Sequence, residues 1–261
     1  MRAPARLVAT VGAGVLELVR SLGGLLVIVA GAIASSLRRP IQLDNFLNQV
    51  YGVGARSLAL AVATSAFAGA VLAYQFGQGL ERFGAKLYIG QTTVTALFRE
   101  LGPILTALVV GVRSASGIAA ELGGMAVTEQ IDAARALGAN PLQRLVAPRL
   151  LATTVTLPLV LIAADVVGVL GALSVAWIQY GVGPSLFLRG VYDFVTFGDF
   201  LSGVIKTVVF GAIIGAIACQ AGLEARGGTE GVGRATTRAV VAAALTVLAT
   251  DLVMTRLLLD L

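Results

Sequence analysis

Long apolar stretches alternate with shorter polar segments along this chain, and the apolar stretches have the length of membrane-spanning helices. A helix needs about 20 apolar residues to cross the hydrocarbon core of a bilayer. Because lipid offers no partner to backbone N–H and C=O groups, such stretches are expected to be helical. The pattern therefore predicts an all-α integral membrane protein with about five transmembrane helices, at residues 57–79, 88–112, 150–180, 200–220 and 239–258.

Residues 1–45 are predicted to form an N-terminal segment that precedes a single membrane domain, residues 46–261. The apolar part of this segment contains Glu17 and Arg20, and residues 22–34 alone are too short to cross the bilayer. An amphipathic helix lying in the membrane interface fits this pattern, and a cleaved or disordered leader is the alternative. In the interfacial helix, anionic head groups would be faced by Arg2, Arg6, Arg20, Arg38 and Arg39.

A polar segment, residues 111–149, separates the second apolar stretch from the third. Thr128 is predicted to be the N-cap of a short helix, with Glu129 in the first turn, where the helix dipole favours an anion. Gly138 fits the position just after the helix, and the Asn-Pro pair at 140–141 ends it. The segment predicts a short amphipathic helix at the membrane surface. By periodicity alone, this helix either binds a soluble partner or only connects two spans.

The distribution of lysine and arginine orients the predicted spans. Basic residues are enriched on the cytoplasmic side of membrane proteins. With a cytoplasmic N-terminus, 13 of the 19 basic residues lie in inside segments and three, Arg82, Lys86 and Arg189, lie in outside loops. This bias predicts a multi-pass membrane protein with the segment 111–149 in the cytoplasm and the C-terminus outside.

The composition excludes several classes of function. Hydrophobic residues make up 57% of the chain and charged residues 13%, whereas soluble domains are about a quarter charged. The net charge of +5 is spread along the chain and only 6% of residues are aromatic, which argues against nucleic-acid binding. No histidine and no phosphate-binding loop motif are present, so histidine-based metal sites and catalytic triads are excluded and ATP hydrolysis needs another chain. We predict no metal site, and the single cysteine, Cys219, cannot form an internal disulfide.

Five charged residues lie well inside the apolar stretches, away from their ends: Arg99, Glu100, Asp165, Lys206 and Asp251. A charge at the membrane centre costs roughly 2.5–3.5 kcal/mol on insertion scales, so such residues usually face protein or water and pair. Lys206 and Asp251 each lie about 10 Å from the outer end of their spans, which predicts an ion pair. Such charges either couple helix movement to transport or fix the packing. Arg99 and Glu100 flank the Gly-Pro pair at 102–103, where a helix can flex.

One helical stripe in the first predicted span is formed by Leu72, Phe76, Leu80 and Phe83, at i, i+4, i+8 and i+11. A stripe of this kind is ordinarily packing or bilayer contact. Tyr74 and Gln75 lie beside it and could supply polar contacts.

Motifs along most of the chain carry a resemblance to a known family. They are RELGP at 99–103, GVRSASGIAAELGGMAVTEQIDA at 111–133, NP at 140–141, PR at 148–149, LP at 157–158, KTVVF at 206–210, GVGRATTRAVV at 231–241 and Asp251. With this spacing, the chain resembles the MlaE/YrbE-type permeases, the membrane subunits of the ABC lipid transporters of the Mla and Mce systems.

The resemblance implies a homodimer of permeases that moves lipid, by default phospholipid, between the inner membrane and an extracytoplasmic MCE-domain protein. It implies that a cytoplasmic ATPase dimer, which binds ATP and Mg²⁺, docks on a coupling helix within residues 111–138. A small cytoplasmic regulatory protein is a further partner that some such systems would include. The stripe of the first span becomes the candidate wall of an acyl-chain cavity. The candidate ATPase-coupling residues are Glu121, Thr128, Glu129, Gln130, Asp132 and Arg135.

Two other classes of function compete with this hypothesis. An intramembrane enzyme would need a nucleophile and a base at membrane depth, and without histidine only an aspartate dyad or a Ser-Lys pair remains. A channel would need rings of polar residues along a pore, which the apolar stripe does not supply. Co-purification with an ATPase separates the permease from both alternatives.

Overall fold

The computed structural model describes residues 23–31 and 43–258, and every regular element in these residues is helical. Five helical runs are long and apolar enough to cross a membrane, which confirms the predicted fold class. We number these runs as spans 1 to 5: Leu43–Arg82, Lys86–Val127, Leu142–Tyr180, Phe197–Leu223 and Gly228–Leu257.

The spans are built from helices that we number in chain order. Residues 23–31 form α1. The α-helices that follow are α2 (Leu43–Val53), α3 (Ala55–Arg82), α4 (Ile89–Ala96), α5 (Gly102–Thr106), α6 (Val112–Val127), α7 (Gln130–Ala136), α8 (Ala147–Tyr180), α9 (Pro184–Phe194), α10 (Phe197–Leu223) and α11 (Gly228–Leu257). A 3₁₀ turn at Lys86–Tyr88 and π-helical turns at Leu97–Leu101, Ala107–Gly111 and Leu142–Val146 complete the spans.

Span 2 is longer than its apolar stretch, because α6 continues the helix through the first part of the polar segment. The 42 residues of this span measure about 63 Å at 1.5 Å per residue, whereas the hydrocarbon core is about 30 Å thick. The first part of the predicted polar segment is therefore helical and continuous with span 2, and a later part forms the separate short helix α7. Helix α6 packs against α10 and α11. Its buried face repeats at helical spacing and includes Ser114, Ala115, Ile118, Ala119 and Leu122.

Helices α3 and α8 pack along each other through small residues. Every fourth residue of α3, from Ser57 to Gly77, is buried. A Cβ at Gly69 would overlap the Gly168 carbonyl oxygen, and a Cβ at Gly171 would overlap the Ala66 carbonyl oxygen. Only glycine allows the two backbones to approach this closely, as is common between membrane helices. This contact fixes span 1 against span 3.

The bundle has two ends, which we name by the short helix that each carries. The α7 end holds the start of spans 1 and 3, because Asn45 at the start of α2 donates to the Arg144 carbonyl oxygen, 3.2 Å away. It also holds the start of span 5, because a Cβ at Gly123, near the end of α6, would lie 3.4 Å from the Val232 side chain. The α9 end holds the loops between spans 1 and 2 and between spans 3 and 4. Helix α9 is anchored there by Phe187, which is fully buried against a cluster that includes Ile89 and Tyr180.

Helix α1 packs at the α7 end of the bundle, where Ile28 joins the main apolar core. A Cβ at Gly31 would lie 2.9 Å from the Leu142 side chain, so α1 lies close to the start of span 3. The rest of the predicted interfacial segment, including its five arginines, lies outside the described residues. The predicted position of that segment in the membrane interface stays a prediction.

Candidate functional site

A buried lysine organises a charged cluster inside the spans. The Lys206 side chain is 1% exposed, and its Nζ lies 2.8 Å from Glu100 Oε2 and 3.1 Å from Asp251 Oδ1. The ammonium group also donates to Thr255 Oγ1 at 2.8 Å and to the Arg99 carbonyl oxygen at 2.9 Å. Two carboxylates, one hydroxyl and one carbonyl thus compensate the buried charge.

Three spans meet at Lys206. The lysine itself lies on α10 in span 4, Glu100 on the π-helical turn Leu97–Leu101 in span 2, and Asp251 and Thr255 one turn apart on α11 in span 5. The Lys206–Asp251 pairing expected from their matched depths is present. Sequence reasoning missed Glu100 as a second partner, because its depth in span 2 does not reveal which span it faces.

A second ion pair lies beside the first. Arg99 Nη1 is 3.0 Å from Asp199 Oδ1, and Arg99 Nη2 donates to the Leu258 carbonyl oxygen at 3.2 Å. Asp199 also closes the N-terminal cap of α10, since its Oδ2 accepts from the Thr196 backbone N–H at 2.7 Å. Sequence reasoning missed Asp199, which precedes the predicted fourth span. The Thr-x-x-Asp spacing at 196–199 matches the capping-box pattern and was the available signal.

The charged cluster, which we define as Arg99, Glu100, Asp199, Lys206 and Asp251, lies where the helix of span 2 changes winding. Gly102 N–H bonds to the Leu97 carbonyl in a π-helical turn, and Pro103, the next residue, has no N–H to donate. Single π-helical turns occur frequently at functional sites. Lys206 and Asp199 are buried, whereas the Glu100 and Arg99 side chains are 36% and 29% exposed. The cluster is therefore accessible from the side of span 2.

Asp165 lies apart from the charged cluster. It is on α8, only 2% exposed, and no described residue forms a hydrogen bond with either of its carboxylate oxygens. The five charges that the sequence places inside the spans thus separate into four that join the cluster and one that does not.

The structure corrects the predicted start of the short helix after span 2. Thr128 is not an N-cap: it ends α6, and its Oγ1 donates to the Gly124 carbonyl oxygen at 2.8 Å. Glu129 occupies the N-cap position of α7 with φ 59°, a left-handed conformation that residues with a Cβ rarely adopt. Because α6 continues to Val127, the chain must reverse within two residues, and Glu129 makes the turn.

Helix α7 presents a charged surface at its end of the bundle. Ile131 is buried and anchors the helix, whereas Gln130, Asp132 and Arg135 are exposed. Arg135 Nη1 lies 2.9 Å from Asp132 Oδ1. The predicted helix end at Gly138 is confirmed: Gly138 has φ 78°, its N–H bonds to the Arg135 carbonyl, and the next N–H bonds to the Ala134 carbonyl, a Schellman motif.

Glu121 differs in position from the other candidate coupling residues. It lies on α6, and its Oε1 is 2.7 Å from Nη2 of Arg149 at the start of α8. The Arg149 side chain is 3% exposed and its Nη1 donates to the Leu145 carbonyl oxygen at 2.7 Å. Glu121 therefore ties span 2 to span 3 close to α7.

The candidate lipid-facing stripe lies along the border of the exposed surface of α3. Leu72, Phe76 and Leu80 are half-buried, and Leu80 packs against the apolar cluster at the α9 end. Phe83 follows the last residue of the helix and is 86% exposed. More exposed apolar side chains of α3, Phe67 among them, lie on a neighbouring face. Tyr74 and Gln75 are exposed beside the stripe.

Five helical spans, with a charged cluster inside them and a short charged helix at one end, define the class of the chain as a multi-pass membrane protein. The family described as Permease MlaE matches residues 46–257, and the chain belongs to this family.

Named relatives agree with this assignment. A probable ABC transporter permease protein of Rickettsia typhi is 37% identical over 95% of this chain and 96% of its own length. A probable ABC transporter permease protein of Synechocystis is 39% identical over 81% of this chain and 80% of its own length. The chloroplastic protein trigalactosyldiacylglycerol 1 of Arabidopsis thaliana is 36% identical over 87% of this chain and 65% of its own length. The chain is thus a permease of the ABC transporter type.

Proposed function

We propose that this permease moves lipid, with phospholipid as the substrate class, as one half of a homodimer in the inner membrane. The match to the permease family over residues 46–257 carries the proposal. The name of the relative from Arabidopsis, trigalactosyldiacylglycerol 1, refers to a glycerolipid. The apolar residues along α3 support a lipid over a polar solute, because binding sites for polar solutes need several well-placed hydrogen-bond groups.

The proposed energy source is a cytoplasmic ATPase dimer that docks on α7. The chain has no phosphate-binding loop motif, so the nucleotide and its Mg²⁺ would bind to that partner. The excess of basic residues in segments at the α7 end supports a cytoplasmic position for this end. Helix α7 and the residue before it offer an ATPase a charged binding surface, formed by the exposed side chains of Glu129, Gln130, Asp132 and Arg135. Buried Ile131 anchors that surface to the bundle.

The proposed lipid partner is an extracytoplasmic MCE-domain protein at the α9 end. In the homodimer, Leu72, Phe76 and Leu80 would line the acyl-chain cavity, with Phe83 at its outer rim. The charged cluster lies in the half of the bundle nearer the α9 end, since Asp199 is the third residue of span 4, which begins at Phe197. It would couple span 2 to spans 4 and 5 as the cavity changes shape.

Reconstitution tests the proposed function. The permease, a partner ATPase and an MCE-domain protein would be placed in liposomes with a fluorescent phospholipid, and exchange with added acceptor protein would be measured. We expect transfer that requires ATP and stops when the catalytic glutamate of the ATPase is replaced. Failure of the permease to bind an ATPase would contradict the subunit assignment. ATPase binding with transport of a polar solute and no lipid transfer would contradict the lipid substrate.

A further inference from the structure

The Asp165 carboxyl group is buried in the middle of α8 without compensation. The residue lies 18 positions after Ala147 and 15 before Tyr180, so it is about 25 Å from either end of the helix. Its relative exposure is 2%, and neither carboxylate oxygen has a hydrogen-bond partner within residues 23–31 and 43–258. An isolated carboxylate at such a position is strongly disfavoured, and the group normally becomes neutral instead.

The charged groups on the neighbouring elements are engaged elsewhere. Arg99 and Lys206 are held by carboxylates of the charged cluster. Span 1 has no charged residue between Arg56 and Glu81, and α4 and α5 of span 2 have none at all. Among the described residues, therefore, no cation pairs with Asp165.

Asp165 does contact the π-helical turn of span 2. A Cβ at Gly102 would overlap Asp165 Oδ1 and would lie 2.8 Å from the Leu97 carbonyl oxygen, so both oxygens face the same small space beside the glycine. The Leu97 carbonyl accepts the Gly102 N–H, and a carbonyl oxygen keeps a second lone pair. If Asp165 is ionised, its Oδ1 and the Leu97 carbonyl oxygen are both hydrogen-bond acceptors and repel each other. If Asp165 is protonated, its O–H can donate to the second lone pair of that carbonyl oxygen.

We propose that Asp165 is a proton-binding site, protonated in this conformation, that holds span 3 against the π-helical turn of span 2. The proton comes from bulk water and returns to it, and no other reactant takes part. Loss of the proton turns an attractive contact at Gly102 into a repulsive one. Because the same turn carries Arg99 and Glu100, proton release at Asp165 moves the residues that connect span 2 to the charged cluster. The proposal does not depend on lipid being the substrate.

Infrared spectroscopy tests the protonation state directly. The full-length permease in dodecyl maltoside, a detergent without carbonyl groups, should show the C=O stretch of a protonated carboxylic acid near neutral pH, and Asp165→Asn should remove this band. The matched control is Asp193→Asn on α9, where the side chain is 49% exposed, and the band should survive there. A wild-type spectrum without the band, or a band that persists in Asp165→Asn, overturns the proposal.

A second variant covers the case in which Asp165→Asn does not fold. Asp165→Glu keeps the acid but lengthens the side chain, so the band should shift in frequency, and an unchanged band overturns the assignment. Sodium provides a further discrimination. Thermal stability would be compared in NaCl and in choline chloride. If the carboxyl group is ionised and only NaCl raises thermal stability, the site holds a metal cation and the proton assignment is wrong.

The stability of the protein should depend on pH through this proton. The unfolded chain releases it above about pH 4, whereas the folded chain keeps it. The folded state then binds more protons than the unfolded state, so the free energy of unfolding falls as pH rises. Removal of one bound proton lowers the folding equilibrium constant by a factor of about ten per pH unit. In Asp165→Asn, this contribution to the slope of the free energy of unfolding against pH should be absent between pH 5 and 8. The measurement is thermal unfolding at graded pH (roughly one-unit steps). An identical slope in both proteins contradicts the proposal.

Discussion

At the scale of single residues, the partners of each buried charge determine what its removal does. Lys206 serves two carboxylates, so its loss strands both Glu100 and Asp251. Loss of Asp251 alone leaves Lys206 with Glu100, Thr255 and a backbone carbonyl. The two members of the predicted pair are therefore not equivalent, which a pairing inferred from depth alone does not reveal.

We expect Lys206→Met to lower the free energy of unfolding by about 3–5 kcal/mol, the usual effect of breaking a buried ion pair from one side. Asp251→Asn should be milder. Recovery of stability should need Glu100→Gln and Asp251→Asn together with Lys206→Met, because two carboxylates must be neutralised. The measurement is thermal and denaturant unfolding of the purified permease in lipid.

The matched control for this prediction is Lys86→Met. Lys86 Nζ lies 2.7 Å from Glu81 Oε1, but both side chains are more than 40% exposed. Exposed pairs contribute about 0–1 kcal/mol. If Lys206→Met is no more destabilising than Lys86→Met, the buried cluster does not hold the three spans together. Recovered stability in the triple variant without recovered transport would assign the charges to the transport cycle.

Arg149 should be another position where a single change is severe. Its guanidinium is 3% exposed and bound to Glu121 and to the Leu145 carbonyl oxygen. Arg149→Met should leave the Glu121 carboxylate without its partner and reduce folded yield, whereas Arg135→Met should have little effect, because Arg135 is 59% exposed. Folded yield by size-exclusion chromatography measures both. Equal yields would mean that the bridge between buried Arg149 and half-exposed Glu121 contributes no more than a surface pair.

At the scale of elements, the ends of α6 and α7 determine where the charged surface of α7 lies. The continuation of α6 to Val127 moves the start of α7 to Gln130 and makes Thr128 the C-cap of α6. The Schellman motif at Gly138 then ends α7 after two turns. The exposed residues of α7 are consequently held on a short, anchored helix.

Charge reversal on α7 should weaken binding of the ATPase and leave the bundle intact. Glu129→Lys with Asp132→Lys changes the charge of exposed side chains only, so membrane insertion and thermal stability should stay within about 1 kcal/mol of wild type. Co-purification of the ATPase should fall several-fold. Arg189→Glu on α9, with a side chain that is 79% exposed at the opposite end, is the control and should leave the ATPase yield unchanged. Normal ATPase yield and full transport in the α7 double variant would remove α7 from the interface.

At the scale of the whole molecule, α3 and α11 keep large apolar surfaces that the single chain does not cover. Only 17% of the residues in the most apolar 18-residue stretch of span 5 are buried, and Leu245 and Leu252 on it are 63% and 76% exposed. A bilayer, a second copy of the chain or a bound lipid can each cover such a surface. The half-buried stripe on α3 acquires a lipid-binding role only if the assembled transporter encloses it.

Photo-crosslinking in the assembled transporter should distinguish a lipid cavity from ordinary bilayer contact. A photoreactive residue at Leu72 or Phe76 should capture added lipid more efficiently than one at Phe67, although the Phe67 side chain is 73% exposed in the single chain. The yield of lipid adducts is read by mass spectrometry. The same pattern should be lost when the ATPase and the MCE-domain protein are absent. Equal adduct yields at the three positions would leave only bilayer contact.

Four features could be predicted from the sequence: the helical class, the five spans, the helix end at Gly138 and the pairing of Lys206 with Asp251. These properties follow from local pattern: the length of apolar runs, the left-handed glycine after a helix and the depth of a charge along its own span. Tertiary structure alone decided the extension of α6, the partners Glu100 and Asp199, and the isolation of Asp165. These depend on which faces of distant helices meet, and hydrophobic periodicity leaves the rotation and contacts of a membrane helix undetermined.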